Sequence, residues 1–283
     1  MEPFHLRFRK ETYDLKKRTL IMGVLNVTLE SFSDGGNFFS FEEAIAQGKK
    51  LAAEGADILD IGGESTRPGS KPLDEGEEIR RVIPVIRELS RHLRIPISVD
   101  TRKSAVASQA LEAGAEMIND TSALRFDPRM AKVAAAHQVP VVLMHMRGEP
   151  ENMQIDPDYA DLIGEIREFF RERIIFAENQ GIAPDRIILD PGIGFGKSLP
   201  KQHNLILLKN LQSFVDLQKP LLIGPSRKAF IGQILSLPPA EREEGTMAAV
   251  AVAICNGVNI VRVHEVKKVG RVVRVTDAIL HSS

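Results

Sequence analysis

Eight apolar runs punctuate the chain, and nearly all of them finish in a polar or charged residue that a strand interior would not choose. The run LIMGVLN stops at Asn26, ADILDIGG carries Asp60 and passes into Glu64, and PISVD stops at Asp100. MIND contributes Asn119 and Asp120, VVLMH leads to His145, RIILD ends at Asp190, LLIG runs into Ser226, Arg227 and Lys228, and IVRVH holds Arg262 and His264. The runs are rich in Val, Ile and Leu on both faces, as in a parallel sheet covered on both sides. Helical patterns of crossover length lie between them, so strand and helix alternate. Eight such units favour closure. The expected fold is α/β, a single (β/α)8 TIM barrel over 1–283 with a short N-terminal extension at 1–18; an open doubly wound sheet is the alternative. Polar side chains at the same end of successive parallel strands converge on one mouth, which points to an enzyme.

Bulk properties narrow the partners. With 37 Lys and Arg against 38 Asp and Glu, the net charge is −1, which leaves no global basic field for nucleic acid or an anionic membrane. An anion site must therefore be local. The N-terminus MEPFHLRFRKETYD alternates charges with aromatics and has no continuous apolar stretch, so neither a leader nor an anchor is expected and the cytoplasm is the default compartment. The single Cys255 lies in the alanine-rich stretch TMAAVAVAICNG, where it reads as a buried, inert thiol.

Local signals place the helices and loops. Ser40 and Glu43 form a capping box for a helix that stops near Gly55, Asp127-Pro128 reads as a second helix start, and apolar spacing predicts a long helix over 158–180 ended by Gly181. The last helix follows Val266. Three loops, 28–36, 62–73 and 146–157, are longer or richer in glycine than simple connections require, so each is a lid or an ordinary surface connection.

Several residues carry candidate chemistry. The tract DPGIGFGKS matches neither a phosphate loop nor a dinucleotide fingerprint, and reads as a tight turn that brings backbone close to a ligand beside Asp190, or as a purely structural turn. Asp100, Asn119 and Asp190 offer acceptors and an amide donor from three strands, a set suited to a flat heterocycle with amino and ring N–H groups. Asp100 could instead cap the helix that follows it. Lys228, Arg262, His264 and Arg67 supply cationic or potentially cationic groups for a polyanion such as a diphosphate, and Asn26 could give an oxygen to its magnesium. Arg227 reads as surface charge. A Schiff-base role for Lys228 is disfavoured because no apolar pocket is evident beside it, and no zinc cluster is apparent.

Taken together, MGVLNVTLESFSDGG, DIGGESTRPGS, SVDTRKS, MINDTSA, LMHMRG, LDPGIGFGK, PSRKAFIG and VRVHEV resemble the dihydropteroate synthase family, in unbroken order from Ile21 to Val266. Leu29-Glu30 stands where that family's first loop has Pro-Asp. The resemblance implies condensation of 6-hydroxymethyl-7,8-dihydropterin diphosphate with p-aminobenzoate, giving 7,8-dihydropteroate and diphosphate. It implies a pterin site of Asp100, Asn119, Met146, Asp190 and Lys228 with Arg262 stacked over the ring. Asn26, Arg262 and His264 would hold the diphosphate with Mg2+, Asn26 serving the metal. Phe32, Thr66, Arg67, Pro68, Phe195 and Ser226 would surround p-aminobenzoate, and Asp100, Asp190, Lys228 and Arg262 would carry the chemistry. A homodimer built through the outer helices is also implied. A pterin-dependent methyltransferase and a non-catalytic pterin-binding module are the alternatives.

Overall fold

The computed structural model describes residues 4–9, 11–27, 41–64, 70 and 72–282. A short antiparallel hairpin, β1 (His5–Arg7) and β2 (Thr12–Asp14), precedes the barrel. The barrel strands are β3 (Leu20–Asn26), β4 (Ile58–Gly62), β5 (Ile97–Asp100), β6 (Met117–Asp120), β7 (Val141–Met144), β8 (Ile187–Asp190), β9 (Leu222–Ile223) and β10 (Ile260–Val263). All pair in parallel in the order β8-β7-β6-β5-β4-β3-β10-β9, and the single bridge Leu189 to Leu221 closes the ring between β8 and β9. Around it run α1 (Phe41–Ala53), α2 (Glu75–His92), α3 (Ser104–Ala113), α4 (Met130–His137), α5 (Leu162–Asn179), α6 (His203–Lys209), α7 (Ala229–Leu235), α8 (Glu243–Cys255) and α9 (Val266–Leu280).

Strand side chains alternate between two cores, as a period of two demands. Ile21, Leu59, Ile61, Ile118, Leu143, Leu189, Val261 and Val263 point outward into the core shared with the helices. Leu20, Met22, Ile58, Met117, Val142, Ile188, Leu222 and Ile260 fill the lumen instead, joined there by Leu6, Tyr13 and Leu15. The N-terminal hairpin thus plugs the barrel floor. Two residues further along five of these strands, the inward position becomes Asp60, Asn119, Met144, Asp190 and Arg262. At four of these five positions the lumen therefore turns from apolar to polar in one step along the strands, with Met144 the exception.

Helix ends follow local chemistry, with some shifts from expectation. Asp74 caps α2 by accepting from Glu77 N, acidic residues fill the first turn, and Arg91 and His92 lie in the last, complementing the helix dipole. The long helix begins at Leu162 rather than at 158, because Asp161 caps it through Gly164 N. Asp127 does not open α4, which starts at Met130; its carboxylate accepts from Arg129 N at 2.9 Å and from Ser104 N at 3.0 Å, so it also serves the head of α3. Asp100 caps nothing: Lys103 occupies the cap position of α3 without a side-chain bond. Cys255 is exposed rather than buried, since α8 turns Ala249, Val250, Ala253 and Ile254 inward. That stretch is apolar all round, so the pattern carried no phase. The capping residue Ser40 and the first loop, 28–36, lie outside the described residues.

The floor plug generates the first expectation. Leu6 is 1% exposed against the lumen side chains, so Leu6→Ala should lower unfolding free energy by about 2–5 kcal/mol. Urea denaturation of parent and variant checks this, and a loss near zero would show that the hairpin is not part of the core.

Candidate active site

The polar row at the barrel mouth is organised around Arg262 on β10. Its Nε donates to Asp60 Oδ2 at 2.6 Å, and its Nη2 donates to Asp100 Oδ2 at 2.8 Å. Asp60, fully buried on β4, also accepts from Asn119 Nδ2 at 3.0 Å. One guanidinium thus ties three strands together, and the amide of Asn119 is oriented through the same carboxylate. Burial pushes the Asp100 carboxyl above its ordinary range, opposed by the Arg262 charge and assisted by nearby Asp60.

Asp190 stands at the end of β8, and its Oδ1 accepts from Gly192 N at 2.8 Å. Burial raises its pKa to about 6 against the pull of that N–H, Lys228 and Arg262. Lys228, at the head of α7, places its ammonium 4.1 Å from the centroid of the Phe195 ring. Its pKa is lowered to about 8, first by burial and then by the Arg262 charge. Lys228 does have an aromatic seat, contrary to the expectation from its loop position. That seat comes from a turn more than thirty residues upstream, which local sequence could not reveal. Phe195 packs with Met144, Met146 and Met153 into a small apolar wall beside the polar row. Met153 brings the third loop into that wall, and Gln154 Nε2 donates to Gly194 O at 2.5 Å, so this loop is part of the site's margin.

Of the remaining expected residues, Asn26, Ser226 and His264 lie near the same rim. Asn26 is exposed at the end of β3. His264 follows β10 with its Nδ1 2.9 Å from Ser226 Oγ, which links the loops after β9 and β10. Arg227 is a half-buried anchor rather than free surface charge: its Nη2 donates to Glu265 Oε1 at 2.6 Å, and its backbone has φ 58°. Phe32, Thr66, Arg67 and Pro68 lie outside the described residues.

The base of the second loop carries a buried ion network. Glu64 accepts from both Lys103 and Arg102, Lys103 Nζ reaches Glu78 Oε2 at 2.5 Å, and Arg102 Nη1 donates to Glu149 Oε2 at 3.0 Å. This network joins the second loop to the third. Sequence reasoning missed it, and it missed the partnership of Asp60 as well, although a lone Asp inside ILDIG was a visible signal.

A mouth with a half-buried guanidinium, two raised carboxyls, an amide and a depressed lysine suits a flat, hydrogen-bonding ligand carrying an anionic group. Comparison with known proteins agrees. Residues 22–264 match the pterin binding enzyme family. The chain is 50% identical to the dihydropteroate synthase of Synechocystis sp. over 268 residues, covering 94% of this chain and 92% of that one. The dihydropteroate synthase of Yersinia pestis, solved with a sulfonamide drug, superposes with a TM-score of 0.93 at 42% identity over 98% of this chain and all of that one. That of Xanthomonas albilineans, solved with 4-aminobenzoic acid, gives a TM-score of 0.92 at 43% identity over the whole of both chains. The polar mouth and the unbroken likeness along the chain lead to one assignment: this chain belongs to the pterin binding enzymes and, among them, to the dihydropteroate synthases.

Proposed function

We propose that the chain, acting as one domain, condenses 6-hydroxymethyl-7,8-dihydropterin diphosphate with p-aminobenzoate to give 7,8-dihydropteroate and diphosphate. The observation that carries this reading is the row of buried and half-buried polar groups, Asp60, Asp100, Asn119, Asp190, Lys228 and Arg262, at one barrel mouth. Asp100, Asn119, Asp190 and Lys228 take the pterin by its hydrogen-bonding edge, Met146 and Phe195 wall it in, and the exposed face of Arg262 covers the ring. The bond from the methylene carbon to oxygen breaks with its electron pair going to diphosphate. The cation left behind is delocalised into the ring, where the carboxylates of Asp100 and Asp190 stabilise it. The amine of p-aminobenzoate then attacks that carbon and loses one proton, with no covalent enzyme intermediate. That amine approaches from the side of Ser226 and Phe195, and Phe32, Thr66, Arg67 and Pro68 are assigned to its binding by the family resemblance alone.

Asn26, Arg262 and His264 receive the diphosphate. The exposed Asn26 offers one neutral oxygen, a donor that magnesium accepts when phosphate oxygens and waters complete its shell. Bound magnesium would neutralise charge on the departing diphosphate. We further propose a cytoplasmic homodimer. Val252 on α8, Ile234 and Leu235 on α7, and Val275, Ile279 and Leu280 on α9 are all exposed, and α8 packs against both neighbours, which supports a second copy on this apolar face. The unpaired exposed thiol of Cys255 suits a reducing compartment. Among the described residues no helix is long and apolar enough to cross a membrane.

The deciding experiment mixes the protein with both substrates and magnesium and follows diphosphate release and dihydropteroate formation. Pterin binding without release would indicate a binding module, and methyl transfer to a corrinoid would indicate a methyltransferase. Within that assay, Lys228→Ala should cost on the order of 2–4 kcal/mol of transition-state stabilisation with the fold retained. A loss of activity under about threefold with unchanged melting would remove Lys228 from the reacting centre.

Asp190→Asn tests the electrostatic cost of the site. The folded-state pKa of Asp190 is raised from 3.8 to about 6, so the native state binds its proton more tightly than the unfolded chain does. Stability is therefore lost as pH rises through that window, and above it the charged form costs about 2–3 kcal/mol. Asp190→Asn should abolish most activity yet be more stable than the parent near neutral pH, with the gap shrinking as pH falls toward 4. Denaturation at several pH values measures this, and a gap independent of pH would contradict it.

A further inference from the structure

Lys197 is fully buried, and the described partners of its ammonium are two backbone carbonyls and an imidazole rather than a carboxylate. Burial lowers its pKa to about 7, opposed by the Asp190 charge, so the ammonium is complete on the acid side of neutrality, and an apolar side chain of equal length would fill the space at less cost. Its surroundings explain what the charge does. Lys197 Nζ donates to Gly192 O at 3.1 Å and to Phe195 O at 2.9 Å, and it lies 3.1 Å from His145 Nδ1. Burial and the Lys197 charge keep His145 neutral, so that nitrogen can accept. Three ammonium donors thus meet three acceptors.

The turn held in this way is unusual. Gly192, Gly194 and Gly196 all have positive φ, at 71°, 84° and 59°. A Cβ at Gly192 would fall 2.0 Å from His145 O, and one at Gly196 would fall 2.4 Å from Arg147 O. Only glycine fits. A backbone this permissive has many alternatives in solution, so something must select one conformation. The inward-pointing carbonyls of Gly192 and Phe195 converge on Lys197, Gly196 O accepts from Tyr159 Oη at 2.8 Å, and Gly194 N donates to Asn204 Oδ1 at 2.8 Å. The same turn sends Gly192 N to Asp190 and sets Phe195 under Lys228.

We propose that Lys197 is a positioning residue for the pterin side of the mouth: its buried ammonium locks the glycine turn against His145 and thereby fixes both Asp190 and the Phe195 ring that seats Lys228. This rests on the pterin reading of the site. Lys197 touches no substrate; it acts through the turn and through its charge. The Asp190 carboxyl is faced by Lys197 and Gly192 N from the turn, by Lys228 from the head of α7 and by Arg262 from β10, while its backbone carbonyl accepts from His145 N after β7. Removing one positive group from that set makes the carboxylate harder to form.

The test measures pterin binding by calorimetry across pH, without p-aminobenzoate, for the parent, Lys197→Met and Lys219→Met. Lys219 is a second buried lysine, bonded to Glu178 and to Pro184 O before β9, away from the mouth. Lys197→Met should weaken binding by about tenfold or more, and its acid limb should move to higher pH. Lys219→Met should alter neither. In the unmodified protein without ligand, the amides of Gly192, Gly194 and Phe195 should already be protected from hydrogen exchange. Binding by Lys197→Met within about twofold of the parent, with an unmoved acid limb, would overturn the proposal while leaving the pterin reading intact. Free exchange of those three amides would overturn it even if Lys197→Met failed to fold. Absence of pterin binding by the parent would overturn the reading itself.

Discussion

The bridging of Asp60 and Asp100 by Arg262 is the interaction on which the mouth depends. A carboxylate set inside the mouth of a closed barrel is costly to charge without a partner, and a guanidinium there needs acceptors for its planar fork. Each supplies what the other lacks, and the bridge also brings Asn119 into line through Asp60 Oδ2. Such an arrangement adds little net stability compared with apolar residues of the same volume. What it provides is a rigid set of polar groups in a place where a flat ring can meet them all without rearrangement.

The opposite side of the mouth is built differently. Asp190 and Lys228 are not joined by an ion pair in the structure; each is held by other means, Asp190 by a backbone N–H and Lys228 by an aromatic face. Burial pulls their ordinary values toward each other, to about 6 and about 8. Groups placed in this way change protonation with little free energy, which suits a pocket that must take up a ligand and let it go.

Much of this was legible in the chain because strand ends are where sequence and geometry coincide most closely. A polar residue finishing an apolar run has few places to go in a parallel barrel, so Asn26, Asp100, Asn119, Asp190 and Arg262 could all be placed at the mouth. Relations between distant segments were not legible. Nothing near Lys228 announces Phe195, nothing near Lys103 announces Glu64 and Glu78, and the lysine of the glycine turn resembles a surface residue until its carbonyl partners are seen. Cys255 failed for another reason: a helix apolar on every side gives no hint of which face looks out.

The ring closes unevenly. Seven of its eight joints are ladders of two to five residue pairs, whereas β8 meets β9 through the one bridge from Leu189 to Leu221, supported by Leu189 N donating to Pro220 O. Asp190 stands at the end of one lip of this seam, and Lys228 follows the other. A molecule gripped by both therefore stitches the barrel where its own backbone is stitched least, and whatever occupies the mouth becomes part of the wall.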